Sequence, residues 1–270
     1  DLKENLEHFN DISMSGSANI IYQQDSSSRI EIYGSDNIVE LLETKVNGKT
    51  LNIKFKKNVN TTYDNHQISA IDMHKTNLNR QELSRVTQDT KERIRIKNDE
   101  KNVNIIDKGK LEIKVFSPDL NGLTLNGSGG ILFANGIHTE GDLKVTINGS
   151  GNLGGSTFDT GHLAISIHGS GDVRLKQIDS KTCSASISGS GNITLDGMTG
   201  AAKYNISGSG NIKAVALEAT DVYAGISGSG NISCFVNGKL GGHVSGSGNV
   251  AYKGNPQAID FPHKKLRKLD

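Results

Sequence analysis

The stretch Ile206-Ser-Gly-Ser-Gly-Asn-Ile212 recurs, residue for residue, at 187–193 and again at 226–232. Related copies share its first glycine, and these glycines are 18 to 22 residues apart: Gly127, Gly149, Gly169, Gly189, Gly208, Gly228 and Gly246. A period near twenty residues is typical of a solenoid, in which each copy forms one turn that stacks on the next. The stretch is therefore either a ligand loop or a structural unit that the chain repeats.

Apolar residues flank each copy at even distances from its first glycine. Two residues before the glycine stand Leu125, Ile147, Ile167, Ile187, Ile206, Ile226 and Val244. Four residues after it stand Ile131, Leu153, Val173, Ile193, Ile212, Ile232 and Val250. Because side chains alternate along a strand, these aliphatics and both glycines share one face. We expect that face to be buried, with Ile187, Ile206 and Ile226 stacked in adjacent turns.

A further apolar group follows nine residues after the glycine, at Phe158, Ile178, Met198 and Leu217, and is also expected to point inward. At about 3.3 Å per strand residue, twenty residues suffice for one circuit of a three-sided coil. The rival arrangement is antiparallel, with pairs of units forming propeller blades, but neighbouring units carry the same inward columns. We predict an all-β fold, a single-stranded, right-handed parallel β-helix with turns of about 20 residues.

The Gly-Ser-Gly-Asn segment is interpreted as a structural corner, because glycine in a strand is kept where backbones bend or pass closely. The corner residues of the three identical copies are Gly189, Ser190, Gly191, Asn192, Gly208, Ser209, Gly210, Asn211, Gly228, Ser229, Gly230 and Asn231. Stacked turns would align an outward column that can hydrogen-bond from turn to turn. That column comprises Asn152, Asp172, Asn192, Asn211, Asn231 and Asn249.

Composition divides the chain into three parts. Residues 1–117 are rich in charge and hold four of the 32 glycines, whereas 118–255 hold the other 28 and contain the repeats. Residues 256–270 form a separate tail. The first part contains two degenerate copies, at 14–20 and 32–38, and a polar insertion over about 57–104. Within the insertion, residues 79–96 are expected to form a short helix or a loop.

Charge and cysteine content exclude several classes of function. Lys and Arg number 30 against 29 Asp and Glu, a net charge of +1, so no global field favours nucleic acid. No stretch of 18 apolar residues predicts a membrane-spanning helix. The start of the sequence has no signal-peptide pattern, so the protein is either cytosolic or already trimmed. Cys183 and Cys234 fall in inward columns, where we expect buried thiols and no disulfide between them.

No catalytic, cofactor-binding or metal-binding residue is predicted. A nucleotide loop would be followed by a helix and would not occur seven times. Five acids of the repeat region are not expected to converge on a site: Asp142, Asp159, Asp179, Asp196 and Asp221. His168 and Ser170 are interpreted as solvated corner residues. The basic tail His263-Lys-Lys-Leu-Arg-Lys268 could touch an anionic surface but is interpreted as a solvated terminus.

The repeats and the strands before them resemble the head GIN domain family of bacterial cell-surface adhesins. The resemblance rests on Ile-Ser-Gly-Ser-Gly-Asn-Ile, preceded by Ile30-Glu-Ile-Tyr-Gly-Ser-Asp-Asn-Ile-Val39, Gly48-Lys-Thr-Leu-Asn-Ile53 and Val115-Phe-Ser-Pro-Asp-Leu120. It covers roughly residues 10–255. The resemblance implies a β-helical fold, export to the cell envelope behind a lipoprotein or secretory signal, and no known catalytic residues.

The resulting hypothesis is a non-enzymatic, extracytoplasmic adhesin or binding module, with a glycan or a surface protein as its candidate partner. Two alternatives remain. One is a polysaccharide-active β-helical enzyme, which needs a cleft with several carboxylates and a Lys or Arg within hydrogen-bonding distance. The other is a purely structural protein of the envelope, which needs no ligand.

Overall fold

The computed structural model describes residues 1–34, 36–56, 59–63, 95–99, 102–107 and 111–270. The elements before the repeats are β1 (Leu2–Asn5), β2 (Asp11–Ser15), β3 (Asn19–Gln24), β4 (Arg29–Tyr33), α1 (Asp36–Val39), β5 (Leu42–Asn47), β6 (Thr50–Phe55), β7 (Val59–Tyr63), β8 (Arg95–Asp99), β9 (Asn102–Asp107) and β10 (Glu112–Ser117).

The repeats and the tail contain strands only, apart from one 3-10 turn. They are β11 (Gly122–Gly127), β12 (Gly130–Phe133), β13 (Ile137–His138), β14 (Leu143–Gly149), β15 (Asn152–Gly169), β16 (Asp172–Gly189), β17 (Asn192–Gly208), β18 (Asn211–Gly228), β19 (Asn231–Val236), β20 (Lys239–Ser245), β21 (Asn249–Lys253), β22 (Ala258–Asp260), η1 (His263–Lys265) and β23 (Leu266–Lys268).

The repeats stack as a parallel β-solenoid with turns of about 20 residues, which confirms the predicted fold class. Each of β15 to β18 runs through one whole turn and pairs in parallel with the next. Ile187 pairs with Ile206, and Ile206 with Ile226. All three are at most 2% exposed. The expectation that they are buried and stacked in adjacent turns is therefore confirmed.

The two glycines of each corner share one requirement and differ in another. The first, such as Gly208, has a φ of +127°, which residues with a Cβ rarely adopt. The second, Gly210, is buried and has no such φ. A Cβ on Gly210 would still lie closer than 3.0 Å to the carbonyl oxygen of Gly191 in the preceding turn. A Cβ on Gly208 would likewise lie closer than 3.0 Å to the carbonyl oxygen of Gly189. Both glycines therefore allow successive turns to approach, and the first also allows the bend.

Hydrogen bonds between turns hold the corner in register. The amides of Ser209 and Gly210 both donate to the carbonyl oxygen of Gly189, over 2.9 and 3.1 Å. On the outward side of the corner, Asn192 Nδ2 donates to Asp172 Oδ1 (3.0 Å), and Asn211 Nδ2 donates to Asn192 Oδ1 (3.2 Å). Asn231 Nδ2 extends this ladder to Asn211 Oδ1 at 3.4 Å. The side chains from Asp172 to Asn231 thus form a continuous asparagine ladder.

Met198 does not point inward as the spacing suggested. It is 56% exposed, whereas Phe158, Ile178 and Leu217 of the same apolar group are at most 2% exposed. The register explains the difference, since Gly197 pairs with both Ile178 and Leu217. Strand β17 has 17 residues where β16 and β18 have 18. Because β17 has one residue fewer before the bend that follows its corner, Gly197 takes the inward position and Met198 points to solvent.

The two degenerate copies near the N-terminus differ in structure. The first is a true turn, because β2 pairs in parallel with β11 and β3 with β12. The second is not: β4 runs antiparallel to β10 and β1, and the chain after it forms α1. The residue that takes the place of the second glycine in this copy is Asp36. The first copy has Ala18 at that position and still forms a stacked turn, so the two copies differ in their strand pairing.

The insertion forms a separate three-stranded sheet. Strand β9 pairs in parallel with β7 and antiparallel with β8. The predicted helix or loop at 79–96 lies outside the described residues up to position 94, and its last two residues begin β8.

The tail after Pro256 adds further strands to the stack. Strand β22 pairs in parallel with β20, and β23 with β21. The tail, which the composition of the sequence separates from the repeats, therefore continues the stacking at the C-terminal end.

The core of the described residues is one cluster of buried apolar side chains, most of them aliphatic, that runs along the solenoid. Cys183 and Cys234 lie in it as free, buried thiols, so the expected absence of a disulfide between them is confirmed. Burial raises the pKa of each thiol to about 12. Both cysteines therefore act as small apolar residues.

We expect Gly210→Ala to lower the free energy of unfolding by about 1–3 kcal/mol, because its Cβ meets the backbone of the preceding turn. Gly241→Ala is the matched control: its Cβ would meet only Asp260 O at 3.8 Å, so stability should stay equal or rise by up to about 1 kcal/mol. Ser209→Ala, at an exposed position, should change stability by at most about 0.5 kcal/mol. Equal melting temperatures for all three variants would contradict the close approach at the corner.

Cys183 and Cys234 should resist alkylation in the native protein at neutral pH, because the reactive thiolate is suppressed and both sulfurs are buried. Mass spectrometry after iodoacetamide treatment should show no adduct in buffer and two adducts in guanidinium chloride without reductant. Rapid labelling in buffer would show that the core around these turns opens readily.

Candidate functional site

The corner residues occupy one edge of the solenoid and are committed to packing between turns. Ser190, Ser209 and Ser229 are exposed there. The amides of the corner donate to the turn before, so this edge offers no glycine loop of the kind that cradles a phosphate.

The five acids of the repeat region do not form one cluster. Three accept hydrogen bonds from backbone amides of neighbouring turns, namely Asp142, Asp196 and Asp221. The other two, Asp159 and Asp179, are register partners in adjacent turns. Both follow their corner glycines by ten residues, a shared offset that predicts their pairing. Asp159 Oδ2 lies 2.7 Å from His138 Nδ1.

A pocket of about 440 Å³ lies near the N-terminal end of the solenoid, on the outer face of strands β1, β3, β4 and β10. Its lining residues are Lys3, Ile21, Gln23, Asp25, Arg29, Glu31, Tyr33, Lys114, Phe116, Ala134 and Asn135. We call it the N-terminal pocket. It contains three cations, two carboxylates and two aromatic rings, which is the richest combination of polar chemistry among the pockets described.

Strand alternation explains why these side chains face the same way. Ile30 and Ile32 of β4 are buried, and so are Ile113 and Val115 of β10. The residues that alternate with them along each strand therefore point outward. Strand β10 lies between β3 and β4, and β1 lies beyond β4. The register aligns Lys3 with Glu31, and Glu31 with Lys114, across three strands. A carboxylate is thereby placed between two lysines.

Arg29 is the organising residue of the N-terminal pocket. Its guanidinium lies 3.7 Å from the centre of the Phe116 ring, in register across β4 and β10. It donates to Asp25 Oδ2 at 2.7 Å and reaches Glu31 Oε1 at 3.4 Å. Its side chain is 26% exposed. Stacking on a ring and pairing with two carboxylates fix the guanidinium in one orientation.

Both carboxyls of the pocket are held in the ionised form. The hydrogen bond from Tyr33, at 2.6 Å, is the main cause that lowers the pKa of Glu31 below its ordinary value. The hydrogen bond from Arg29 is the main cause that lowers the pKa of Asp25. A proton-donating catalyst needs the opposite shift. Asp25 and Glu31 are therefore hydrogen-bond acceptors at neutral pH.

The arrangement can bind a ligand that both donates and accepts hydrogen bonds. Each ionised carboxylate has more acceptor sites than its present donors occupy. Lys3 and Lys114 lie 5.6 and 5.1 Å from the centre of the Tyr33 ring and add donors. Because cations and carboxylates are nearly balanced, the pocket does not simply attract one sign of charge. Polyhydroxylated ligands such as sugars match this mixture of aromatic, donor and acceptor groups.

A partial signal for this pocket is present in the sequence. The alternation in Arg29-Ile-Glu-Ile-Tyr33 predicts one outward row of polar residues. The motif at 32–38 predicts a degenerate turn here, but β4 pairs antiparallel with β10, which brings Lys114 and Phe116 beside that row. That pairing joins residues about 85 positions apart and has no local signature.

Two other observations limit the chemistry of the described residues. Among them, no group of three or more His, Cys, Asp or Glu side chains is placed to hold a metal ion. The helices within the described part of the chain are too short to cross a membrane.

Comparison with known families and structures confirms the resemblance inferred from the repeats. A family model described as "Putative auto-transporter adhesin, head GIN domain" matches residues 8–256. No curated protein matches the chain.

Three crystal structures share the fold. A "Putative lipid binding protein" from Parabacteroides distasonis is 24% identical with a TM-score of 0.76, covering 100% of this chain and 96% of the other. A "putative adhesin" from Parabacteroides merdae is 20% identical with a TM-score of 0.74, covering 100% and 95%. A "putative adhesin" from Bacteroides fragilis is 23% identical with a TM-score of 0.60, covering 99% and 91%.

Tyr33→Phe should raise the pKa of Glu31 and leave that of Asp25 unchanged, whereas Arg29→Gln should raise both, because Arg29 pairs with both carboxyls. NMR titration of the carboxyl carbons measures each value. In the wild type, both folded pKa values lie below the ordinary ones, so their stabilising contribution is present above about pH 4–5 and is lost as the pH falls through the folded values. An unchanged Glu31 pKa in Tyr33→Phe would contradict the assigned hydrogen bond.

Proposed function

The chain belongs to the head GIN domain family, and from that premise we propose that it is a non-enzymatic, extracytoplasmic binding protein of the bacterial cell envelope. Its N-terminal pocket holds a glycan displayed by a surface partner. The observation that carries this proposal is Arg29, fixed between Asp25 and Glu31 on the face of Phe116.

A fixed constellation of this kind supports binding because the polar groups are oriented before the ligand arrives. Binding then costs less side-chain entropy than it would with free surface residues. Asp25 and Glu31 accept from sugar hydroxyls, Lys3 and Lys114 donate to ring and hydroxyl oxygens, and Tyr33 offers an aromatic face. Asn135 is held at the rim by bonds with the backbone of Gln24, over 2.9 and 3.0 Å.

The cell envelope is the proposed location for two reasons. The family is described as adhesins, and an adhesin acts where it meets another surface. A solenoid with long, regular faces also suits display of a site at one end. Detection of the protein in surface-biotinylated or shaved fractions of intact cells, and its absence from the cytosolic fraction, tests this part of the proposal.

A polysaccharide-active enzyme is the second candidate, because the N-terminal pocket contains the combination that it needs: two carboxylates and an arginine within hydrogen-bonding distance. The lowered pKa of both carboxyls favours binding instead, since a glycosidase needs one carboxyl with a raised pKa as its general acid. Incubation with the bound glycan separates the two. Shortened products would favour the enzyme, and an intact glycan favours the binding protein.

The binding proposal predicts specific glycan retention that depends on Arg29. A glycan array probed with the purified chain identifies the ligand, and calorimetry measures its affinity. Arg29→Gln should weaken binding at least about tenfold, because it removes the charged donor that orients both carboxylates. Tyr33→Phe should weaken it less. Arg174→Gln, the same change at an exposed residue of β16 far along the solenoid, is the matched control and should bind as the wild type.

Equal binding by Arg29→Gln and Arg174→Gln would move the site away from the N-terminal pocket. Failure of every glycan and matrix protein to bind would favour the third possibility, a purely structural role in the envelope.

A further inference from the structure

A second pocket, of about 500 Å³, lies where the C-terminal tail packs against the last turns. Four cationic residues line it, namely Lys213, Lys264, Lys265 and Arg267. We call it the C-terminal trough. None of its lining residues is acidic. The near-neutral charge of the whole chain therefore conceals a local concentration of positive charge.

The stacking of strands builds the C-terminal trough. Successive register pairs place Lys213, Ser233, Ala251 and Arg267 in one outward column across β18, β19, β21 and β23. Two small residues thus form a floor, and two long cations stand at its ends. Three inter-strand steps of about 4.8 Å separate Lys213 from Arg267 by about 14 Å along the solenoid.

Polar groups that can donate hydrogen bonds run beside this column. Asn211 and Asn231, the last two residues of the asparagine ladder, line the same trough together with Asn249 of the next turn. Asn231 Oδ1 accepts from the backbone amide of Asn249 at 3.2 Å, and Asn231 Nδ2 uses one of its two protons to donate to Asn211 Oδ1. Amide and hydroxyl groups here complement the hydroxyls of a bound polymer.

Most of the positive charge in the trough is not neutralised by the protein. Among the described residues, no carboxylate forms an ion pair with Lys213, Lys264 or Arg267, and all three are exposed. Lys265 differs from them because its Nζ donates a hydrogen bond to the carbonyl oxygen of Gly246 at 2.9 Å. Three cations thus remain for an external anion.

We propose that the C-terminal trough binds a linear acidic polysaccharide. Its carboxylates or sulfates pair with Lys213, Lys264 and Arg267, and its hydroxyls bond to the asparagine ladder and Ser233. The site is separate from the N-terminal pocket and does not depend on the function proposed for that pocket.

The distribution of the cations favours a polymer over a lipid headgroup. The charges extend along the solenoid axis rather than around one point, so a chain lying along the trough meets them in succession. Membrane binding would also use exposed apolar side chains. The large exposed hydrophobic residues of the described chain, Leu2, Met198, Tyr223 and Ile259, all lie outside the trough lining. The lining also has no aromatic ring on which the bases of a single-stranded nucleic acid could stack.

The test measures binding of the full chain to polygalacturonate and to heparin by calorimetry, with neutral dextran as the uncharged polymer. At least one acidic polymer should bind, and its affinity should fall as salt is raised, because the contacts are charged. Dextran should not bind. Lys213→Gln/Arg267→Gln should weaken binding at least about tenfold. Ala251→Glu should abolish it, because the variant places a negative charge on the floor.

Lys45→Gln/Lys181→Gln is the matched control, since it removes the same charge at exposed residues of β5 and β16 outside the trough. It should bind as the wild type, and so should Arg29→Gln, which tests the N-terminal pocket. Thermal melts verify that each variant is folded. The proposal is overturned if neither acidic polymer binds, if the two double variants lose affinity equally, or if single-stranded DNA or phosphatidylserine vesicles bind as tightly as the polysaccharides.

Discussion

Close contact between the backbones of successive turns is the constraint on which the solenoid depends. At each corner the carbonyl oxygen of one turn accepts amide protons from the next, and the space between them excludes even a methyl group. This contact fixes the phase of every turn. Once the phase is fixed, the aliphatic columns, the asparagine ladder and the outward columns of polar residues align without further information. Regularity elsewhere in the molecule is a consequence of the glycines.

Both candidate sites lie at the ends of the solenoid and include strands from outside the repeats. Within the repeats, parallel stacking sets each outward residue beside its register partner in the next turn, as with Lys203 and Tyr223. At the N-terminal end an antiparallel strand enters the sheet and places Arg29 against Phe116. At the C-terminal end the tail adds β23 and places Arg267 in line with Lys213 across two small residues. In each site a strand from outside the repeats therefore supplies an arginine that the repeat motif does not contain.

Much of the fold could be predicted from the sequence because its information is local and repeated. The period, the inward columns and the corner follow from residues within a single turn, and Ile187, Ile206 and Ile226 lie where the pattern places them. The errors share one cause. Met198 and the copy at 32–38 keep the motif's spacing, but their strand pairing differs from that of the regular turns. The N-terminal pocket was missed because it joins segments far apart in sequence, and no periodicity connects them.

The bend after the corner allows the turns to differ in length. Register shifts lie between Leu175 and Ile178, between Thr194 and Asp196, and between Ala214 and Glu218. Yet the glycines on either side, such as Gly208 and Gly228, remain in register. Insertions and deletions at this bend are therefore absorbed before the next corner. Peptides grafted there would project from one side of the rod at intervals set by the turns, making the repeats a scaffold for multivalent display.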